Sequence, residues 1–101
     1  MMQRTERDHP KQLEDLPNIG KAIAADLRRI NIFRPEQLAR REPIAIFEEL
    51  SEVIGHRQDP CVLYTLLAAK HFLDCGEVLP WWKFTAEGKN ILKSSEKGSR
   101  P

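Results

Sequence analysis

The chain is 101 residues long, which leaves room for one domain and not two. Its 16 Lys+Arg stand against 15 Asp+Glu, a formal charge of +1, so bulk charge does not drive it onto a polyanion and any nucleic-acid contact must be local. With 41% hydrophobic and 31% charged residues it has the balance of a soluble globular domain, neither a disordered chain nor a membrane span.

Residues 1–10, MMQRTERDHP, are charged, lack the apolar stretch of a signal peptide and read as a disordered arm. Lys11 to Leu16 suits a short helix stopped by Pro17. After the turn Pro17-Asn18-Ile19-Gly20, a second helix is predicted over about Lys21–Ile30, with Ile23, Leu27 and Ile30 as its buried stripe. Pro35 can occupy the first turn of a third helix carrying Leu38. Pro43 opens a fourth, where Ile46, Leu50 and Val53 share one face, Ile44 and Phe47 widen it, and Gly55 closes it. Asp59-Pro60 is an N-cap acceptor followed by a first-turn proline, and starts a helix reaching about Asp74. Cys61, Val62, Leu63, Leu66, Leu67, Phe72 and Leu73 make that last helix apolar over most of its circumference, so it belongs at the centre. Gly76 ends it.

Residues 87–101 are rich in Gly, Ser and Lys with only Ile91 and Leu92 to bury, and read as a disordered polar tail. No segment alternates with period two for long enough to argue a strand. The expected fold is all-α, a compact five-helix bundle over residues 11–86.

Cys61 and Cys75 fall on one helix fourteen residues apart, roughly 20 Å at 1.5 Å per residue, too far for a disulfide within the chain. Free thiols suit a reducing compartment, so a cytoplasmic protein is expected. His71 and Cys75 lie one turn apart, and His56 and Cys61 flank the start of the same helix. Each pair resembles half a zinc site, but no C-x-x-C or H-x-x-x-H partner exists, so buried structural thiols are expected and no metal or cofactor. Glu48 and Glu52 project from a helix face with no nucleophile beside them, which argues against an enzyme. In Pro80-Trp81-Trp82-Lys83-Phe84 the rings either stack bases of a single strand or fold back to complete the core, and a domain this small favours the second.

The stretch Leu13-x-x-Leu16-Pro17-Asn18-Ile19-Gly20-Lys21-Ala22-Ile23-Ala24-Ala25-Asp26-Leu27 resembles a helix-hairpin-helix motif. Its chemistry follows from the residues. Leu13, Leu16, Ile19, Ile23 and Leu27 clamp two helices, Pro17 fixes φ, and Gly20 permits a close backbone approach. The N–H groups of Gly20, Lys21 and Ala22 then face outward at a helix N-terminus, where the dipole favours an anion such as a phosphate. The family turn reads Gly-hydrophobic-Gly, and Asn18 stands where its first glycine would be. Asparagine tolerates the left-handed conformation, although its side chain could hinder the phosphate. Lys21, Ala25 and Arg28 form one exposed stripe, followed by Arg29, Arg34, Arg40 and Arg41, while Glu48, Glu49 and Glu52 make another face acidic. Arg28 and Arg29 could instead simply complement the helix end. Arg57 either donates to a second phosphate or pairs with Asp59.

Three blocks, LEDLPNIGKAIAADLRRINI, RQDPCVLYTLLAAKHF and PWWKFTAE, resemble the small bacterial family of pathogenicity-locus or mitomycin-resistance-like helix-hairpin-helix proteins, and the C-terminal domain of the competence regulator TfoX is similar in outline. The resemblance implies a SAM-like tandem helix-hairpin-helix, its second hairpin degenerate at Val53–Pro60, and sequence-independent DNA binding. The function expected is a non-enzymatic DNA-binding module accessory to DNA repair or processing, with Asn18, Ile19, Gly20, Lys21, Ala22, Arg28 and Arg57 as DNA-binding residues. The alternative is a protein–protein interaction or dimerisation module with no DNA contact.

Overall fold

Proline opens three of the helices at the position where its missing N–H costs nothing, and two glycines in the left-handed conformation, Gly55 and Gly76, close two of them. The computed structural model describes residues 11–98. It contains five α-helices, α1 (Lys21–Arg29), α2 (Pro35–Ala39), α3 (Pro43–Ile54), α4 (Pro60–Cys75) and α5 (Thr85–Gly98), and single 3-10 turns at Leu13–Asp15 and Trp81–Phe84. There is no strand among the described residues. The all-α bundle is therefore as expected, but its membership differs at both ends.

The first expected helix is only the 3-10 turn Leu13–Asp15. Only the six residues 11–16 lie between Pro10 and Pro17, too few to repay helix nucleation. The Asp15 carboxylate holds the turn instead, accepting from the backbone N–H of Lys11 at 3.1 Å and of Gln12 at 3.0 Å. At the other end, the boundary expected at residue 86 falls inside α5, and the segment read as a disordered tail is helical as far as Gly98. Two apolar side chains are enough to seat it: Leu92 is 9% exposed and Ile91 packs beside it against the core. Gly88 does the rest. A Cβ there would overlap the Tyr64 ring, so the missing side chain lets α5 lie directly on α4. The arm expected over residues 1–10 lies outside the described residues, as do 99–101.

Helix α4 is the centre. Leu63 through Ala69 are buried without a break, which leaves no solvent face in the middle of the helix. It is covered by α2, α3, α5 and the Trp81–Phe84 turn. Lys70 ties it further, donating to the Ala39 carbonyl at the end of α2 at 3.0 Å and lying 3.6 Å from Asp74. Among the aromatic residues, Phe84 is buried and Trp81 stacks on Tyr64 with centroids 6.2 Å apart and planes at 10°. Trp82 departs from the core reading: it sits edge-on to Trp81 and is 61% exposed. Val53, expected in the buried stripe of α3, is 44% exposed because the last turn of that helix, stopped by Gly55, projects past the core. No helix among the described residues is long and apolar enough to cross a membrane.

The Tyr64–Gly88 contact makes a prediction against helix propensity. In an exposed helix Gly→Ala stabilises by about 1 kcal/mol, whereas overpacking a core costs about 1–3 kcal/mol. Gly88→Ala is expected to lower the Tm by several degrees in thermal denaturation followed by circular dichroism. A rise in Tm would show that Tyr64 does not seat α5.

Candidate nucleic-acid interface

The bend between the first 3-10 turn and α1 is built from its apolar residues. Leu13, Leu16 and Ile19 are buried on one side and Leu27 on the other, with Ile23 half-buried between them. The Ile19 N–H donates to the Leu16 carbonyl at 3.2 Å and closes the turn. Asn18 takes φ +69°, the left-handed conformation a glycine would supply. Its side-chain amide donates to the Leu79 carbonyl at 3.0 Å, sixty-one residues away in sequence. The substitution that breaks the family turn pattern thus both keeps the turn and fastens it to the segment after α4. Asn31, at φ +67°, plays the same conformational part just past α1.

Gly20 is the N-cap of α1, with φ −93° and ψ −176°, and no side chain caps the helix. Its carbonyl accepts from Ala24 at 3.0 Å, so the N–H groups of Lys21, Ala22 and Ile23 have no partner within the helix. Nothing lies within 4 Å of the point where a Gly20 Cβ would stand. The space in front of Gly20 is open. Lys21 and Ala22 beside it are exposed. Asn18, Ile19, Gly20, Lys21 and Ala22 therefore do come together at one bend.

Arg28 does not join them as a free cation. Its guanidinium grips Glu14 with two hydrogen bonds, 3.2 and 2.9 Å, and so clamps the 3-10 turn to α1. The bonded guanidinium holds the Glu14 carboxyl below its usual range, and the carboxylate raises the Arg28 pKa in return. Other parts of the expected basic stripe are likewise engaged: Arg41 meets Glu49 at 2.6 Å and Arg34 meets Glu36 at 3.7 Å. The acidic face of α3 loses Glu49 to the same pairing. Lys21, Arg29 and Arg40 are exposed and form no salt bridge among the described residues.

Arg57 sits exposed on a different bend, between α3 and α4. Ser51 organises that loop, its hydroxyl donating to the Phe47 carbonyl at 3.0 Å and accepting from the Gln58 N–H at 3.1 Å. Asp59 caps α4 by accepting from the Cys61 N–H at 2.8 Å, and that bond holds its carboxyl below the usual range. Both thiols are exposed, against the expectation of buried ones. Partial burial, with Asp59 second, pushes the Cys61 thiol up. Two clefts open beside α5: one is lined by Ile44, Glu48, Glu87 and Ile91, and the other runs past Ile44 to Lys70, His71 and Asp74. Sequence reasoning missed Asn18's partner, Leu79, and the carboxylate of Glu77, which lies against His71.

Glu14 and Asp59 each add to stability as carboxylates and lose that contribution in acid. Both have a folded pKa below the unfolded one, so their contribution is present above the ordinary carboxylate value near 4 and is lost as pH falls through the lower folded value. The doubly substituted Glu14→Gln, Asp59→Asn chain keeps a capping side chain and removes both titrations. Its Tm is expected to fall less than that of the parent below about pH 4; parallel curves would contradict this.

Residues 6–90 match the family model described as Cdd1, pathogenicity locus. The mitomycin resistance protein McrB of Streptomyces lavendulae is 36% identical over 80 residues, covering 79% of this chain and 76% of that protein. No solved structure matches. Matched over most of its length by that model, the chain belongs to the pathogenicity-locus family.

Proposed function

We propose that the protein is a small non-enzymatic module that binds DNA through backbone phosphates, with Leu16–Gly20 as the turn of a helix-hairpin-helix. One observation carries this reading: the N-terminus of α1 is uncapped, opens on empty space at Gly20, and has the exposed Lys21 beside it. A phosphate oxygen placed there would accept from the amides of Gly20, Lys21 and Ala22 and meet the Lys21 ammonium. Such donors fix position and read no base, so the binding is sequence-independent. Arg28 acts in this reading by positioning, since its two bonds to Glu14 hold the first limb of the bend. Arg57 supplies a second phosphate contact.

Fluorescence anisotropy with a labelled duplex tests it. A Kd of about 10⁻⁴–10⁻⁶ M is expected, weakening with salt. Lys21→Glu should weaken binding about tenfold or more. Gly20→Ala, which meets no atom in the fold, should weaken binding while the domain stays folded, with only the small Tm loss of a poorer N-cap. If Lys21→Glu binds as the parent does at low salt, the bend is not the contact.

Two exposed rings favour a second reading, a protein-docking module: Phe33 is 53% exposed and Trp82 61%. Concentration-dependent light scattering without DNA would support it. Through its relative named for mitomycin resistance, the first reading extends to that phenotype. Loss of the gene should lower survival on mitomycin, and the Lys21→Glu allele should fail to restore it.

A further inference from the structure

The C-terminal end of α4 gathers three side chains of different ligand chemistry. His71 and Cys75 are one helical turn apart and share a face. Gly76 then takes φ +81° with its N–H on the Phe72 carbonyl at 2.7 Å, and the chain turns so that Glu77 comes against His71. The Glu77 Oε1 lies 2.8 Å from His71 Nε2, and the Cys75 Sγ lies 3.4 Å from the same nitrogen. All three donor atoms fall within 4.8 Å of one another.

That both partners approach one nitrogen discriminates between chemistries. A thiol–imidazole–carboxylate relay needs the carboxylate on the far ring nitrogen, leaving Nε2 for the thiol. Here Nε2 has room for a single proton and cannot serve two neighbours in a relay. A cation between the three atoms serves all of them. Tetrahedral zinc, with bonds of about 2.0–2.3 Å, spaces its donors about 3.3–3.6 Å apart. The His71–Cys75 separation already has that value, His71–Glu77 needs to open by about half an ångström, and Cys75 and Glu77, within 4.8 Å of each other, reach it by rotation of their exposed side chains. Mixed nitrogen, sulfur and carboxylate donors suit zinc, whereas magnesium and calcium take oxygen. The His71 ring is steadied by Phe84, 5.6 Å away, and Cys75 and Glu77 are exposed, so an ion enters directly from solvent.

We propose that His71, Cys75 and Glu77 form a zinc site with three protein ligands and a fourth position open to water. The Cys75 Sγ also reaches the His71 carbonyl at 3.2 Å, an ordinary contact for a helical thiol, so the test must separate a ligand from a bystander. Bound metal would brace the loop from Gly76 to Pro80, which carries the Leu79 carbonyl that holds Asn18. The site stands or falls independently of DNA binding.

Untagged, reduced, chelator-stripped full-length protein is titrated with Co²⁺. A thiolate-to-cobalt charge-transfer band in the near ultraviolet and tetrahedral bands in the visible are expected, both displaced by Zn²⁺. Cys75→Ser should abolish the charge-transfer band while Cys61→Ser, at the other end of α4, retains it. Competition with a chromophoric chelator should show Glu77→Gln and His71→Ala weakening Zn²⁺ binding about tenfold or more, and Zn²⁺ should raise the Tm of the parent and not of Cys75→Ser. Circular dichroism checks that the variants fold. The proposal is overturned if the parent shows no charge-transfer band, if the band survives Cys75→Ser, or if Glu77→Gln leaves the Zn²⁺ affinity unchanged.

Discussion

Helix α4 presents apolar side chains in every direction, and the rest of the chain is arranged to cover it. Each Leu taken from water is worth about 1.5–3 kcal/mol, and Leu63, Tyr64, Thr65 and Leu66, successive residues that point to every side of one helical turn, are all buried. Two neighbouring helices cannot shield such a cylinder. The chain recruits α2, α3, the Trp81–Phe84 turn and α5, in effect wrapping its own C-terminal third back over the centre. Ala68 and Ala69 are fully buried, and Gly88 does for α5 what small residues do for any close helix contact. The polar composition of α5 follows from this duty: it needs to bury little more than Leu92 and Ile91, because the apolar surface it meets belongs to α4.

The N-terminal bend hangs from this centre by few contacts. Helix α1 rests on α3 and on the preceding 3-10 turn rather than chiefly on α4. Two polar ties supplement its apolar packing, the Glu14–Arg28 clamp and the Asn18–Leu79 hydrogen bond. The second reaches the loop between α4 and the Trp81–Phe84 turn. The geometry of the candidate site is therefore coupled to the C-terminal end of α4, the same end that carries His71, Cys75 and Glu77. A bend fixed in this way loses little entropy when it meets a ligand.

Much of this was legible because its cause is local. Proline at a first helical turn, an Asp before it, and Gly55 and Gly76 at helix ends act over a few residues, and the helices begin and end there. The centrality of α4 was legible because all-round hydrophobicity has one solution in a small domain. Asn18 could be assigned a left-handed backbone for the same local reason, but its partner 61 residues away could not be seen. Nor could α5, since a stretch with two apolar residues reads as a tail until Tyr64 is placed against Gly88. Arg28 lay on an exposed stripe, yet exposure says nothing of a Glu14 brought alongside by a turn. Glu77 failed to register as a companion of His71 and Cys75 for a related reason: helical spacing predicts one-turn neighbours, and a carboxylate returned by a left-handed glycine lies outside it.

These pairings also decide what kind of phosphate contact is physically open to the chain. A count of basic residues suggests a charged face, but Arg28, Arg34 and Arg41 each face a carboxylate within salt-bridge distance, and a cation so engaged must give up that partner before it can neutralise a phosphate. Backbone amides at a helix N-terminus face no such competition. They carry partial positive charge, they cannot be neutralised by a neighbouring glutamate across the helix, and their direction is set by the fold. In the proposed DNA contact, with Lys21 as the formal charge at the bend, counterion release would be confined to one or two phosphates, so the log–log salt slope should lie near −1 to −2 rather than the values of about −5 or beyond expected of a basic groove. The near-zero net charge then ceases to be an objection to DNA binding. It is the condition under which a contact made by amides would dominate one made by side chains.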